Sequence, residues 1–115
     1  MSDRIYKIVT AEQWRGALAE GVFAGAPVDL ADGFIHFSTA CQVRETARRH
    51  FAGQADLLLV AFDADALGDA LRFEPSRGGD LFPHLYAPLD PKLALSVAPL
   101  PLTADGGHVF PDLSA

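Results

Sequence analysis

Apolar residues along the chain fall into short blocks whose period alternates between that of a strand and that of a helix. Ile5-Tyr6-Lys7-Ile8-Val9 predicts a first strand, which Thr10 closes. Thr10 and Gln13 have the spacing of a capping box, in which each side chain bonds the other residue's backbone amide. Trp14, Ala17 and Leu18 then supply the i, i+3, i+4 stripe of a helix over residues 11–20, with Gly21 as its stop. Trp14 is expected to anchor the core. Between residues 22 and 31 no period persists, and Gly25 and Pro27 interrupt the chain, which predicts a loop with a brief extended piece at 28–30.

Asp32-Gly33-Phe34-Ile35-His36-Phe37-Ser38-Thr39-Ala40-Cys41 reads as a turn, a short strand and the start of a helix. Two-residue alternation places Phe34, His36 and Ser38 on one face of that strand and Ile35 and Phe37 on the other. Thr39 and Gln42 repeat the capping-box spacing, Val43, Ala47, His50 and Phe51 form a second helical stripe, and Gly53 ends it. Residues 57–62, all apolar and without alternation, predict a strand covered on both faces. Residues 63–68 predict one helical turn, 70–74 an extended segment, and Pro75-Ser76-Arg77-Gly78-Gly79-Asp80 a loop. Phe82-Pro83-His84-Leu85-Tyr86 is expected to be short and extended, and it repeats the aromatic, histidine, hydroxyl order of Phe34, His36 and Ser38. Leu93, Leu95 and Val97 alternate with Ala94, Ser96 and Ala98, which predicts a last, half-buried strand limited by Pro99 and Pro101. The elements add up to an α+β fold, with two main helices packed on twisted, mainly antiparallel strands. Residues 1–115 are expected to form a single domain, with 103–115 as a candidate C-terminal arm.

Composition narrows the function classes. Hydrophobic residues make up 50% of the 115 and charged ones 21%, which fits a folded chain with one core and argues against disorder. Fifteen acidic against nine basic residues give a net charge of -6, which argues against generic nucleic-acid binding while leaving room for a small local basic patch. The apolar run at 57–62 is far shorter than the roughly 20 residues of a membrane helix. Cys41 alone cannot form an internal disulfide, and Met-Ser-Asp-Arg does not open a signal peptide, so a cytoplasmic location is expected.

Candidate chemistry centres on the two histidine stretches. His36 shares a strand face with Ser38 just before a helix start, and a histidine there can donate, accept or exchange a proton near neutral pH. His84, stiffened by Pro83 and flanked by Tyr86, is its counterpart. Both are candidate catalytic residues, with Ser38, Arg77 and Tyr86 as candidate ligand-binding residues. Arg77, between Ser76 and Gly78-Gly79, suits a phosphate or carboxylate through paired charge-assisted bonds. Glu74 and Asp80 are the acids placed to orient it or to act as a base. The spacings of His36, His50, His84, His108 and Cys41 match no compact zinc signature, and Ser38 lies in no nucleophile elbow. No phosphate-cradling glycine loop or dinucleotide fingerprint occurs.

Ile5-Tyr6-Lys7-Ile8, Trp14, Gly21, the block from Asp32 to Ser38 with Gln42, the strand at 57–62, and Gly78-Gly79 through Phe82-Pro83-His84-Leu85-Tyr86 to Pro88-Leu89 resemble, in order, the bacterial domain of unknown function family 952. That family is similar in turn to the ADP-ribosyltransferase fold, a split, mainly antiparallel pair of sheets around a cleft for NAD. The resemblance implies an NAD or ADP-ribose-like ligand and a site built from the two histidine strands. Tyr6-Lys7 lacks the histidine expected on the first strand, and no glutamate lies in the Phe82 to Tyr86 stretch. The implied chemistry therefore shifts toward a small phosphorylated or nucleotide-like ligand, gripped by Arg77, with His36 and His84 on ribose hydroxyls or in proton transfer and Tyr86 packed on a ring. The competing class is a non-catalytic domain holding a small anion or a protein partner.

Overall fold

The computed structural model describes residues 3–113 and, of Arg77, the backbone alone. β1 (Arg4–Thr10) runs straight into α1 (Ala11–Glu20), and the junction is the predicted capping box: the Thr10 hydroxyl accepts from the Gln13 amide at 3.0 Å and Gln13 Oε1 from the Thr10 amide at 2.9 Å. Trp14 and Ala17 are buried, whereas Leu18, expected on the same stripe, is exposed. α2 (Pro27–Asp32) stands where the sequence predicted a loop. It is short enough to escape a periodicity test, but its ends carry helix signals: Pro27 at the first position, Asp29 Oδ2 accepting from the Ala26 amide at 2.8 Å, and Gly33 in the left-handed conformation (φ 88°) as C-cap.

The strand expected across Phe34 to Ser38 is two pieces. β2 (Ile35–His36) and β3 (Ser38–Thr39) are separated by Phe37 and lie in different sheets. α3 (Val43–His50) follows, with Val43 and Ala47 buried and His50 exposed. β4 (Leu57–Asp63) has the buried run that its uninterrupted apolar sequence predicted. A 3-10 segment (Ala64–Ala70), capped by Asp63, leads to β5 (Leu71–Pro75), and a tight 3-10 turn (Arg77–Gly79), with Gly78 and Gly79 at positive φ, leads to β6 (Leu81–Leu85). β7 (Ser96–Leu100) begins later than expected: Leu93 closes a 3-10 turn, and Leu93, Leu95 and Val97 are exposed instead of forming the buried face.

The strands form an antiparallel four-stranded sheet in the order β3-β1-β4-β7 and an antiparallel three-stranded sheet in the order β2-β6-β5. β1 and β4 pair along their whole length, from Arg4↔Asp63 to Thr10↔Leu57. One core lies between the two sheets and includes Ile5, Val9, Trp14, Ile35, Phe62 and Leu85; the other, with Tyr6, Ile8, Val43, Ala47, Leu59 and Leu100, lies between the larger sheet and α3. Phe37 belongs to the inter-sheet core, its ring edge-on to Phe62 at 5.7 Å, while its amide donates to Pro83 O. Beyond β7, a Leu102–His108 bridge folds the chain back, and Phe110 and Leu113 pack on the α3 side.

The α+β class holds, but two features expected with it do not. Among the described residues there are three α-helices instead of two main ones, because α2 is built from end signals and not from a stripe. Neither sheet is closed or curled, so the expected likeness to the ADP-ribosyltransferase fold is overturned. Among the described residues, no helix is long and apolar enough to cross a membrane.

Candidate functional site

The smaller sheet brings the two histidine stretches together. His36 on β2 and His84 on β6 are directly opposed, and Arg72 on β5 opposes His84 from the other side. Alternation along these strands turns Ile35, Leu85 and Leu71 toward the core and His36, His84, Arg72 and Glu74 toward the opposite face. The two imidazoles lie 5.6 Å apart between centroids, edge to face, and Phe34 covers both, at 4.6 Å from His36 and 4.1 Å from His84. Tyr86 lies 5.2 Å from Phe34, with the Arg72 guanidinium 5.4 Å above its ring. The result is an aromatic shelf edged by one guanidinium.

Each histidine is held by a carboxylate. His36 Nδ1 meets Asp29 Oδ1 at 2.6 Å, and His36 Nε2 meets Asp32 Oδ2 at 2.9 Å, so both acids of α2 converge on one ring. In the neutral ring only one of those nitrogens has a hydrogen to give; the imidazolium donates to both. His84 Nδ1 pairs with Glu74 Oε1 at 2.8 Å, the same oxygen that accepts from the Tyr86 hydroxyl at 2.7 Å. The two rings differ in access: the His36 side chain is 31% exposed and that of His84 6%.

Beneath His36 lies a buried ion pair. Lys7, from β1, reaches both oxygens of Asp29 at 3.0 and 2.9 Å, with 7% and 1% of the two side chains exposed. Asp29 also accepts from the amides of Ala26 and His36. Burial pushes its carboxyl up, but the His36 hydrogen bond, the Lys7 ammonium and those two amides outweigh this and hold it at about 2. Burial lowers the Lys7 ammonium from its ordinary value, and Asp29 only partly opposes that. On the shelf, bonds from Tyr86 and His84 hold Glu74 below the usual carboxylate range, and Glu74 in turn raises the Tyr86 phenol.

Of the residues singled out from the sequence, His36, His84 and Tyr86 come together and Glu74 joins them. Ser38 lies in the other sheet, paired to Tyr6, with its hydroxyl 2.9 Å from that of Thr46. The crossover at Phe37 separates it from His36. The side chain of Arg77 lies outside the described residues, and the arginine placed on the shelf is Arg72. Asp29, Asp32, Lys7 and Arg72 were missed. The signals for the first two were the Pro27-x-Asp29 helix start and the i, i+4 spacing of Asp32 and His36; Arg72 lies two residues before Glu74 on an extended segment. Among the described residues, no group of three or more His, Cys, Asp or Glu side chains is placed to hold a metal ion.

A family model described as a protein of unknown function (DUF952) matches residues 8–97. Protein CC0527 from Caulobacter crescentus has a crystal structure 50% identical to this chain, with a TM-score of 0.90 over 92% of this chain and 93% of that one. Its solution NMR structure is 51% identical over 90% of each chain, with a TM-score of 0.82. No curated protein matches.

Proposed function

The chain belongs to the DUF952 family of proteins of unknown function, and from that premise we propose that the exposed face of the smaller sheet binds a small phosphorylated, ring-bearing ligand of the nucleotide kind. One observation carries the reading: two carboxylate-held histidines stand side by side under a shared aromatic ring, with a guanidinium at the edge. Phe34 and Tyr86 offer faces for a planar ring, and Arg72 offers an oxyanion two parallel N–H bonds. Asp29, held ionised, takes the Nδ1 hydrogen of His36 and leaves Nε2 as the reactive atom. Asp32, half exposed, covers Nε2 and has room to rotate away when a ligand hydroxyl arrives. With Asp32 displaced, His36 Nε2 can form a hydrogen bond to a ribose hydroxyl. His84, too buried to meet a ligand directly, fixes Glu74 and Tyr86 on the shelf.

Calorimetric titration of NAD, ADP-ribose and adenosine monophosphate into the purified protein tests this. At least one is expected to bind with Kd at or below about 1 mM, and His36→Ala and Arg72→Gln to weaken it roughly tenfold. If none binds in that range, the reading fails.

A non-catalytic module is a second reading, favoured by the closure of both His36 nitrogens on carboxylates and by the burial of His84. It predicts that His36→Ala and His84→Ala lower stability while no nucleotide binds. An unpaired, exposed Cys41 suits a reducing, cytoplasmic setting under either reading.

A further inference from the structure

On the opposite face of the four-stranded sheet from the histidine shelf, a cleft of about 450 Å3 opens between α3 and the turn at residues 105–108. We propose that this cleft binds a small oxyanion carried on a planar ring, held by Arg44 against Phe110. Its volume lies within the range of about 300–1,000 Å3 usual for small-molecule sites. It exists because the walls are small: Ala47 and Ala52 on the helix side and Gly106 and Gly107 on the turn leave space that larger side chains would fill.

Charge selects the ligand class. Arg44, Arg48 and Asp105 are the charged residues that line the cleft. Asp105 is already engaged, accepting from the Thr103 hydroxyl and from the Gly107 amide at 3.1 Å. Arg48 and Arg49 share Glu45. Arg44 differs: its guanidinium lies 5.4 Å above the Phe110 ring, and among the described residues no carboxylate pairs with it. With no carboxylate on it, the Arg44 guanidinium has N–H groups to offer one oxyanion in paired bonds. His108 is fixed beside it, Nε2 donating to Gln54 O at 2.8 Å. In a chain of net charge -6, this local basic edge favours an anion over a cation, and the apolar side chains of Phe110, Ala47 and Ala52 line the space for the attached ring. A phosphate monoester and a carboxylate share this chemistry.

Amide-resolved NMR titration with phenyl phosphate, benzoate and inorganic phosphate tests the assignment and tells the two anion types apart. Phenyl phosphate or benzoate is expected to shift amides of residues 44–48 and 105–110, whether or not those of His36 and His84 also move. Arg44→Gln, at an exposed position that leaves the fold intact, is expected to weaken the better of the two roughly tenfold, and inorganic phosphate to bind less well than phenyl phosphate. The proposal is overturned if neither ring-bearing anion shifts those residues by about 10 mM, or if Arg44→Gln binds as the parent does. Because the shelf is read through different residues, loss of nucleotide binding there leaves this test standing.

Discussion

Asp29 shows how one buried carboxylate ties three elements together. It sits in α2, takes the Lys7 ammonium from β1, and bonds both the amide and the ring of His36 on β2. Asp29→Asn keeps the shape and removes the charge, leaving Lys7 buried without an anion. Loss of one partner of a buried pair typically costs about 3–5 kcal/mol, which urea unfolding at pH 7 would measure. The parent should also lose stability in acid through this group. Its folded value of about 2 lies below the unfolded 3.8, so the stabilisation is full above the unfolded value and is lost as pH falls through the folded one, amounting to about 2 kcal/mol. That acid limb should be reduced in Asp29→Asn. Lys7 adds a rise of the same sign at higher pH: burial lowers its folded value, all the more once Asp29 no longer opposes this, so above that value the unfolded chain binds more protons and stability should rise with pH toward 10.5. A flat profile for the variant would show that Lys7 is not held as described. Gly25 guards the same spot, since at its φ of 131° an added Cβ would lie 2.9 Å from that of Asp29.

At the scale of elements, what the sequence disclosed depended on how each element is specified. α1 was legible because cap and stripe agree, from Thr10 and Gln13 to Trp14 and Ala17. Thr10→Ala is accordingly expected to cost about 1 kcal/mol, read as a lowered urea midpoint at unchanged slope. β4 was legible because burial on both faces demands an uninterrupted apolar run. α2 was not, because six residues hold too few apolar positions for a period, and its folding depends on Asp29 finding Lys7, a partner 22 residues away. β7 misled because alternation reports that two faces differ without saying which is covered; Leu95 and Val97 lie on the uncovered one. For the site, the repeated aromatic, histidine, hydroxyl order singled out two segments whose histidines lie opposite each other in the smaller sheet. It could not reveal that the chain changes sheets at Phe37, which removed Ser38, or that pairing in the smaller sheet would bring Arg72 opposite His84.

For the whole molecule, Phe37 is the joint. Its amide bonds Pro83 in the smaller sheet while the next residue, Ser38, pairs with Tyr6 in the larger, and its ring packs on Phe62 in the core between them. Phe37→Ala should cost about 3–5 kcal/mol, and far-UV circular dichroism and Trp14 fluorescence should still report one shared transition. Separate transitions would mean that the sheets unfold as independent units. A one-residue joint inside a packed core also leaves no slack for a hinge. The two halves cannot swing over a bound molecule as jaws do, so a ligand on the histidine shelf meets a surface already in its final shape. Choice among ligands then falls to the half-exposed side chains at its rim, Asp32 and Tyr86, whose rotations are fast. Binding there should show rapid exchange with no slow closing step.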